Sequence, residues 1–160
     1  LGLMPASLGA LPALTSPDAV SLHRSLHHAA RQGYDHLVLE ASSHGLDQHR
    51  LDGLRFDVAA FTNLSQDHLD YHPTMEAYRA AKLRLLELRK PGGLTITNAD
   101  DASFGGLEGW SYGHRGKEGR IHLAEPTPGG IHLKTDFFDL ELPLIGTFQG
   151  HNLFCAALVA

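Results

Sequence analysis

The chain has 160 residues, which is enough for one domain with a sizeable core and too few for two ordinary domains. Hydrophobic residues make up 42% and charged residues 19% of the sequence, a globular composition that excludes an intrinsically disordered chain. The formal net charge of -5 gives no electrostatic reason to expect nucleic acid as a partner. Because the single Cys155 cannot form an internal disulfide and no signal-like or long apolar segment is seen, we expect a cytoplasmic protein without membrane association.

The N-terminal part predicts a helix followed by a buried strand. Ser16 is expected to cap a helix that starts at Pro17 and ends at Gly33. The run from residue 36 to residue 41 is short and almost entirely apolar, which is typical of a strand buried on both faces. A helix followed by such a strand favours an α/β layer fold.

The remaining elements extend this α/β pattern. Residues 58–61 and 94–97 read as further buried strands, and residues 75 to about 89 as the helix between them. We therefore predict a mainly parallel, three-layer sheet of the nucleotide-binding type. From Trp110 onward, shorter runs broken by Gly and Pro predict a small antiparallel β portion in the C-terminal third, followed by a helix; these segments are 121–124, 131–134, 137–142 and 147–160.

Polar residues at the ends of the predicted strands are the first candidates for a site, because ligands bind there in open parallel sheets. Glu40 ends the first predicted strand, although a carboxylate that only reaches solvent fits the pattern equally well. His68 follows the second strand, between Asp67 and Asp70. A glutamate and a histidine from neighbouring strand ends can share a divalent ion with phosphate oxygens, though magnesium usually prefers oxygen ligands.

Lys82 lies on the same face of the predicted helix as Met75, Tyr78 and Leu85, so it is expected to point inward. Periodicity alone favours a lysine whose stem packs on the core while its ammonium stays in water. The alternative is a lysine partly removed from water, whose lowered pKa frees the amine for chemistry or modification. The sequence has no phosphate loop, nucleophile elbow or zinc-type cysteine cluster, and ordinary surface roles are expected for several of its twelve histidines: His23, His27, His28 and His114.

Two long strings carry a family resemblance: LEASSHGLDQHR at residues 39–50 and FTNLSQDHLDYH at residues 61–72. They closely resemble the central domain of the Mur ligases, in particular of the synthetases that add the third peptide residue to UDP-N-acetylmuramoyl dipeptide. The resemblance continues through residues 75–82, 98–101 and 150–153 and covers nearly the whole chain. It implies that residues 1–160 are a central ATP-binding domain, truncated before a C-terminal domain and after a phosphate loop and UDP-binding domain. The isolated chain is then expected to be inactive.

The resemblance also implies roles for individual residues. Glu40 and His68 match magnesium-binding positions, and Lys82 matches a lysine that the family carries as a carbamate that helps to hold a second magnesium ion. Asn63 and Asn152 match ATP contacts, the latter on the adenine side. Five further residues match contacts to the UDP-N-acetylmuramoyl dipeptide: Thr15, Ser16, Ser42, Gln48 and Arg50.

The activity that the resemblance implies is an ATP-dependent amide ligation in peptidoglycan synthesis. ATP phosphorylates the terminal carboxylate of the dipeptide, and the amine of diaminopimelate or lysine then displaces phosphate, with Mg²⁺ balancing the negative charge. Two alternatives remain open. One is a metal-dependent hydrolase with a carbamylated lysine, which would need further closely spaced histidines. The other is a degenerate Mur-like binding module without catalytic activity.

Overall fold

A computed structural model describes residues 16–65 and 70–160. Within these ranges the chain divides into two compact units, the first made of residues 16–55 and 70–88 and the second of residues 56–65 and 89–160. The first unit is helical, and the second contains a six-stranded sheet.

Helix α1 of the first unit spans Ala19–Arg31. Its N-cap is Asp18, whose carboxylate accepts a 3.0 Å hydrogen bond from the amide of Ser21. The prediction that Ser16 caps this helix is therefore wrong, because Ser16 is only 2% exposed and its hydroxyl bonds to a different part of the chain. Asp18 is as good a cap as Ser16, and only the backbone path decides which residue precedes the first turn.

The end of α1 agrees with the sequence prediction. Gly33 has φ of 84°, the left-handed conformation that glycine adopts without a steric penalty. Its amide donates to the carbonyl of Ala30 at 3.1 Å, and the amide of Tyr34 donates to the carbonyl of Ala29 at 3.2 Å. This pair of bonds is the Schellman motif that satisfies the last carbonyls of a helix.

The buried strand predicted for residues 36–41 is wrong. These residues form no paired strand in the described part of the chain, and Leu37 and Val38 are 48% and 83% exposed. A parallel strand is buried only where neighbouring strands pair with its edges and helices cover its faces. An apolar run carries no information on whether such neighbours lie beside it, so composition alone led to the wrong assignment.

Two further helices complete the first unit. Helix α2 spans Ser43–Asp47 and helix α3 spans Met75–Leu83, followed by a 3₁₀ turn at Arg84–Leu86. The sequence predicted the start of α3 correctly and placed its end too late. The two helices contact each other, and their buried apolar side chains are Leu46, Tyr78 and Ala81.

The sheet of the second unit has the strand order β1-β2-β3-β4-β5-β6. Strands β1 to β4 pair in parallel, while β5 and β6 continue the sheet in antiparallel fashion. This arrangement confirms the predicted α/β fold with a mainly parallel sheet and an antiparallel C-terminal part. The six strands are Phe56–Phe61, Arg89–Asn98, Trp110–Gly113, Gly119–Thr127, Gly130–Thr135 and Asp139–Leu142.

Helix α4, at Phe148–Val159, contacts β1, β3 and β4 and confirms the helix predicted for the end of the chain. The side chains packed between helix and sheet form one apolar core, made of Ile96, Tyr112, Ile121, Leu133, Phe154 and Cys155. A short 3₁₀ turn at Ala102–Phe104 follows β2. No helix in residues 16–65 or 70–160 is long and apolar enough to cross a membrane.

Candidate functional site

A hydrogen-bonded group of four residues in the first unit, Ser16, Ser42, Gln48 and Arg50, is called here the serine–arginine cluster. The hydroxyl of Ser16 donates to the carbonyl of Glu40 at 3.1 Å. It accepts from the amide of Ser42 at 3.2 Å and from the hydroxyl of Ser42 at 2.9 Å. With one donated and two accepted bonds, the hydroxyl of Ser16 uses its full hydrogen-bonding capacity.

Arg50 links the other members of the cluster. Its Nη1 donates to the carbonyl of Ser16 at 2.8 Å, and its Nη2 donates to Oε1 of Gln48. The side-chain nitrogen Nε2 of Gln48 donates in turn to the hydroxyl of Tyr71 at 3.2 Å, and that hydroxyl donates to the carboxylate of Asp47 at 2.7 Å. Guanidinium has five N–H donors, so these two bonds orient Arg50 and leave donors for an anionic ligand.

Gly45 allows the cluster to form. A Cβ atom at this position would lie 2.6 Å from Cβ and 2.8 Å from Oγ of Ser16, distances that real Cβ atoms do not adopt. The amide of Gly45 also donates to the hydroxyl of Ser42 at 3.1 Å, which makes Ser42 the N-cap of α2. The absence of a side chain at Gly45 therefore brings the start of α2 against Ser16.

Lys82 on α3 is half-buried, as its helical position predicted. Its Nζ donates to the carbonyl of Ala41 at 3.4 Å and lies 6.0 Å from the ring centre of Tyr78. Burial lowers the pKa of Lys82, and the attraction of the nearby Glu40 carboxylate opposes this shift without cancelling it. These contacts favour the second interpretation of the sequence, a lysine partly removed from water.

The proposed metal ligands are only partly covered by the structure. Glu40 is exposed and belongs to the same unit as Lys82. His68 and Thr15 lie outside the described residues. The metal set of Glu40, His68 and Lys82, and the substrate contact of Thr15, therefore stay predictions.

The two residues matched to ATP contacts belong to the second unit. Asn63 is exposed just after β1, and Asn152 is exposed on α4. The loop that carries Asn63 is fixed by Asp101, whose carboxylate accepts from the amides of Leu64 at 2.6 Å and Ser103 at 2.8 Å. Burial raises the pKa of Asp101, but these hydrogen bonds outweigh it, so the net shift is downward and the carboxylate stays ionised.

Asp101 had no assigned role in the sequence reading. The available signal was its position three residues after the end of β2. Ligands bind at the carboxyl ends of strands in open parallel sheets, so polar side chains there are candidates for a role. Its contacts show a positioning residue that holds the backbone next to Asn63.

The α/β fold with a mainly parallel sheet and an antiparallel end is the one that the family resemblance implied. A family model described as the Mur ligase middle domain matches residues 4–160, and the chain belongs to this family. Among solved structures, the chain is similar to one of a UDP-N-acetylmuramoyl-L-alanyl-D-glutamate--2,6-diaminopimelate ligase, with a TM-score of 0.78 and 34% identity. That match covers 95% of this chain and 35% of the solved chain.

Curated relatives carry the same name as the solved structure. The chain is 44% identical over 160 residues to the ligase of Caulobacter vibrioides, with 91% of this chain and 33% of the relative covered. It is 42% identical over 179 residues to the ligase of Bradyrhizobium diazoefficiens, with 100% and 37% covered. The chain thus spans about a third of the length of these relatives.

Proposed function

We propose that this chain is the middle domain of an ATP-dependent ligase that joins 2,6-diaminopimelate to UDP-N-acetylmuramoyl-L-alanyl-D-glutamate in peptidoglycan synthesis. The observation that carries the proposal is the serine–arginine cluster. It unites four of the five residues that the family resemblance matched to the muramyl dipeptide. The sequence left diaminopimelate and lysine open, and the names of the relatives favour diaminopimelate.

Within this cluster the residues have different tasks. The hydroxyl of Ser16 makes three hydrogen bonds, one to the carbonyl of Glu40 and two to Ser42, so Ser16 holds Ser42 in place within the proposed substrate site. Arg50 offers its remaining donors to a carboxylate or phosphate of the muramyl dipeptide. Since its guanidinium is already held by Ser16 and Gln48, little side-chain freedom is lost when the substrate binds.

The environment of Lys82 suits a carbamate. The ammonium group first loses one proton, because only the neutral amine attacks carbon dioxide. As the N–C bond forms, one C=O π bond becomes a carboxylate and the nitrogen releases a second proton, so the cation becomes an anion. Because burial lowers the pKa of Lys82, a larger fraction of its side chain is in the neutral amine form at physiological pH. Oxygen donors from the carbamate and from Glu40, with His68, would hold Mg²⁺, which neutralises phosphate charge and the charge that develops during transfer.

In the proposed reaction, a carboxylate oxygen of the dipeptide attacks the terminal phosphorus of ATP, and ADP leaves. The amine of diaminopimelate then attacks the acyl carbon, phosphate leaves, and an amide forms. Asn63 and Asn152 are proposed to contact ATP, with Asp101 fixing the loop beside Asn63. Arg50 and Gln48 orient the dipeptide, a task in which position strongly affects rate.

The test is the substrate dependence of ADP release by the full-length protein. We expect release only when ATP, the muramyl dipeptide and diaminopimelate are all present, with lysine a poor replacement for diaminopimelate. ADP release that needs neither the dipeptide nor the amino acid would overturn the proposal. Hydrolysis without ATP would favour the hydrolase alternative, and ATP binding without product would favour the non-catalytic module.

A further inference from the structure

Three side chains of the second unit meet on one side of the sheet: Asp100 after β2, His114 after β3 and His151 in the first turn of α4. One ligand atom from each residue lies within 4.8 Å of the others. Asp100 and His151 are half-buried, and His114 is exposed. An ordinary surface role was expected for His114 and no role was assigned to His151, because sequence patterns do not show which distant residues come together.

The ring orientation of both histidines is fixed by backbone carbonyls. Nδ1 of His114 lies 3.0 Å from the carbonyl of Ile121, and Nδ1 of His151 lies 3.4 Å from the carbonyl of Thr147. A carbonyl can only accept a hydrogen bond, so Nδ1 of a neutral His114 carries the proton and its Nε2 keeps a lone pair. Histidines that bind metals show this same arrangement, with the second nitrogen donating to a carbonyl or carboxylate.

Asp100 and His151 approach each other directly. Nε2 of His151 lies 3.3 Å from Oδ2 of Asp100. With its proton on Nε2, a neutral His151 donates to this carboxylate. In the other tautomer the lone pair of Nε2 faces the carboxylate, and a metal ion between the two atoms would bind both.

The carboxylate of Asp100 is held in place by its surroundings. Oδ2 accepts from the amide of His114 at 2.7 Å, and Oδ1 accepts from the amide of Arg115 at 3.1 Å. The guanidinium of Arg115 lies on the Oδ1 side at 3.4 Å and also donates to the carbonyl of Asp100 at 2.9 Å. The oxygen that faces His151 is therefore the one away from the arginine charge.

We propose that Asp100, His114 and His151 form a binding site for a divalent first-row transition metal ion such as Zn²⁺, with water completing the coordination. Two imidazole nitrogens and one carboxylate oxygen are a ligand set that suits zinc and its neighbours better than Mg²⁺. Ligands of a tetrahedral zinc site lie about 3.3 Å apart at bond lengths of about 2.0–2.1 Å. The 3.3 Å between Nε2 of His151 and Oδ2 of Asp100 already equals this value, and no pair of ligand atoms in the group is more than 4.8 Å apart.

The site would join three segments that are separated in the sequence. The metal would tie the first turn of α4 to the loop after β2 and to the turn after β3. Since a ligand that binds only the folded state stabilises it, bound metal should raise the unfolding temperature of the second unit. The proposal does not rest on the ligase function, and none of its three residues is a proposed magnesium ligand.

The test is metal binding by the full-length protein in the presence of excess Mg²⁺, which occupies sites of the hard-ligand type. Zn²⁺ is titrated by calorimetry, and Co²⁺ is followed by its visible absorption. We expect one strong site per chain, and His114→Ala and His151→Ala should each weaken it at least about tenfold. The control is His132→Ala. His132 lies on strand β5 and pairs with Asp139 on β6, so its loss should leave metal binding unchanged.

Thermal unfolding without metal checks that each variant folds. If His151→Ala fails to fold, the exposed His114→Ala carries the test. No stoichiometric binding by the unchanged protein would mean that a proton alone joins Asp100 and His151, and would overturn the proposal. Equal loss in His132→Ala, or unchanged binding in the His114 and His151 variants, would show scattered surface binding and would overturn it as well.

Discussion

The interactions that stabilise the interior differ between the two units of the chain. The second unit has a continuous apolar core in which Ile96, Tyr112 and Phe154 are fully buried between sheet and helix. The first unit also buries apolar side chains, and in addition it has a polar cluster in which Ser16, Ser42 and Arg50 join a loop to the short helix α2. Apolar burial stabilises without regard to direction, whereas hydrogen bonds fix positions. The second unit is therefore suited to be a scaffold and the first to place substrate-binding groups.

The largest effect is expected from Lys82 in the first unit. Both Lys82→Ala and Lys82→Arg should lower ligase activity by about 10³-fold in the full-length protein, the scale seen when one stabilising group of a transition state is removed. Arginine keeps the charge but has no amine that can form a carbamate. The control is Lys90→Ala, which removes an exposed ion pair with Asp57 and should retain activity. Unchanged activity in both Lys82 variants would refute the carbamate role.

A large effect on stability, rather than on chemistry, is expected from the core of the second unit. Phe154→Ala should destabilise this unit by about 3–5 kcal/mol, because the side chain is 0% exposed and its loss leaves a cavity. Phe148→Ala changes a residue of the same helix that is 61% exposed, and should cost less than about 1 kcal/mol. Hydrogen exchange of β2 and β3 amides in the full-length protein measures both. Similar protection in the two variants would contradict the assigned core.

A substitution at Gly45 is expected to have a smaller effect, on both stability and binding of the muramyl dipeptide. Gly45→Ala forces Ser16 and α2 apart, so we expect a loss of about 1–3 kcal/mol in stability and a raised KM for the muramyl dipeptide. Gly129→Ala is the matched control, because a Cβ there meets nothing within 4 Å. Steady-state kinetics with a thermal unfolding scan separates the two effects. A wild-type KM for Gly45→Ala would show that the packing of the cluster is not needed.

The success of the sequence-based predictions differs between the two units. Strand periodicity identified β1, the centre of β2 and the hairpin strands, because strands with buried faces have a recognisable apolar pattern. The same reasoning failed for residues 36–41, whose apolar side chains Leu37 and Val38 are exposed. Lys82 was placed on an inward face by helical spacing, but its lowered pKa depends on neighbours that spacing does not show. The contacts of Asp101, like those among Asp100, His114 and His151, depend on chain segments far apart in sequence.

The smallest effect is expected at the segment where the sequence prediction failed. Val38→Thr should change stability by less than about 0.5 kcal/mol, because the side chain is 83% exposed. Val58→Thr, on strand β1 against the core, places a hydroxyl among apolar groups and should cost about 1–3 kcal/mol. Thermal unfolding of the two full-length variants gives the comparison. An equal cost at Val38 would show that residues 36–41 are buried after all.

The most direct test of the proposed substrate site is the affinity of the full-length protein for UDP-N-acetylmuramoyl-L-alanyl-D-glutamate in two arginine variants. Arg50 belongs to the serine–arginine cluster, whereas Arg55 is exposed and bonds only to the neighbouring carbonyl of Leu54 among its described contacts. Loss of a charged hydrogen bond of about 1.5–3 kcal/mol corresponds to roughly 10- to 100-fold weaker binding. We expect that loss for Arg50→Ala and none for Arg55→Ala in a calorimetric titration. Equal affinity in both variants would contradict a substrate site built on the cluster.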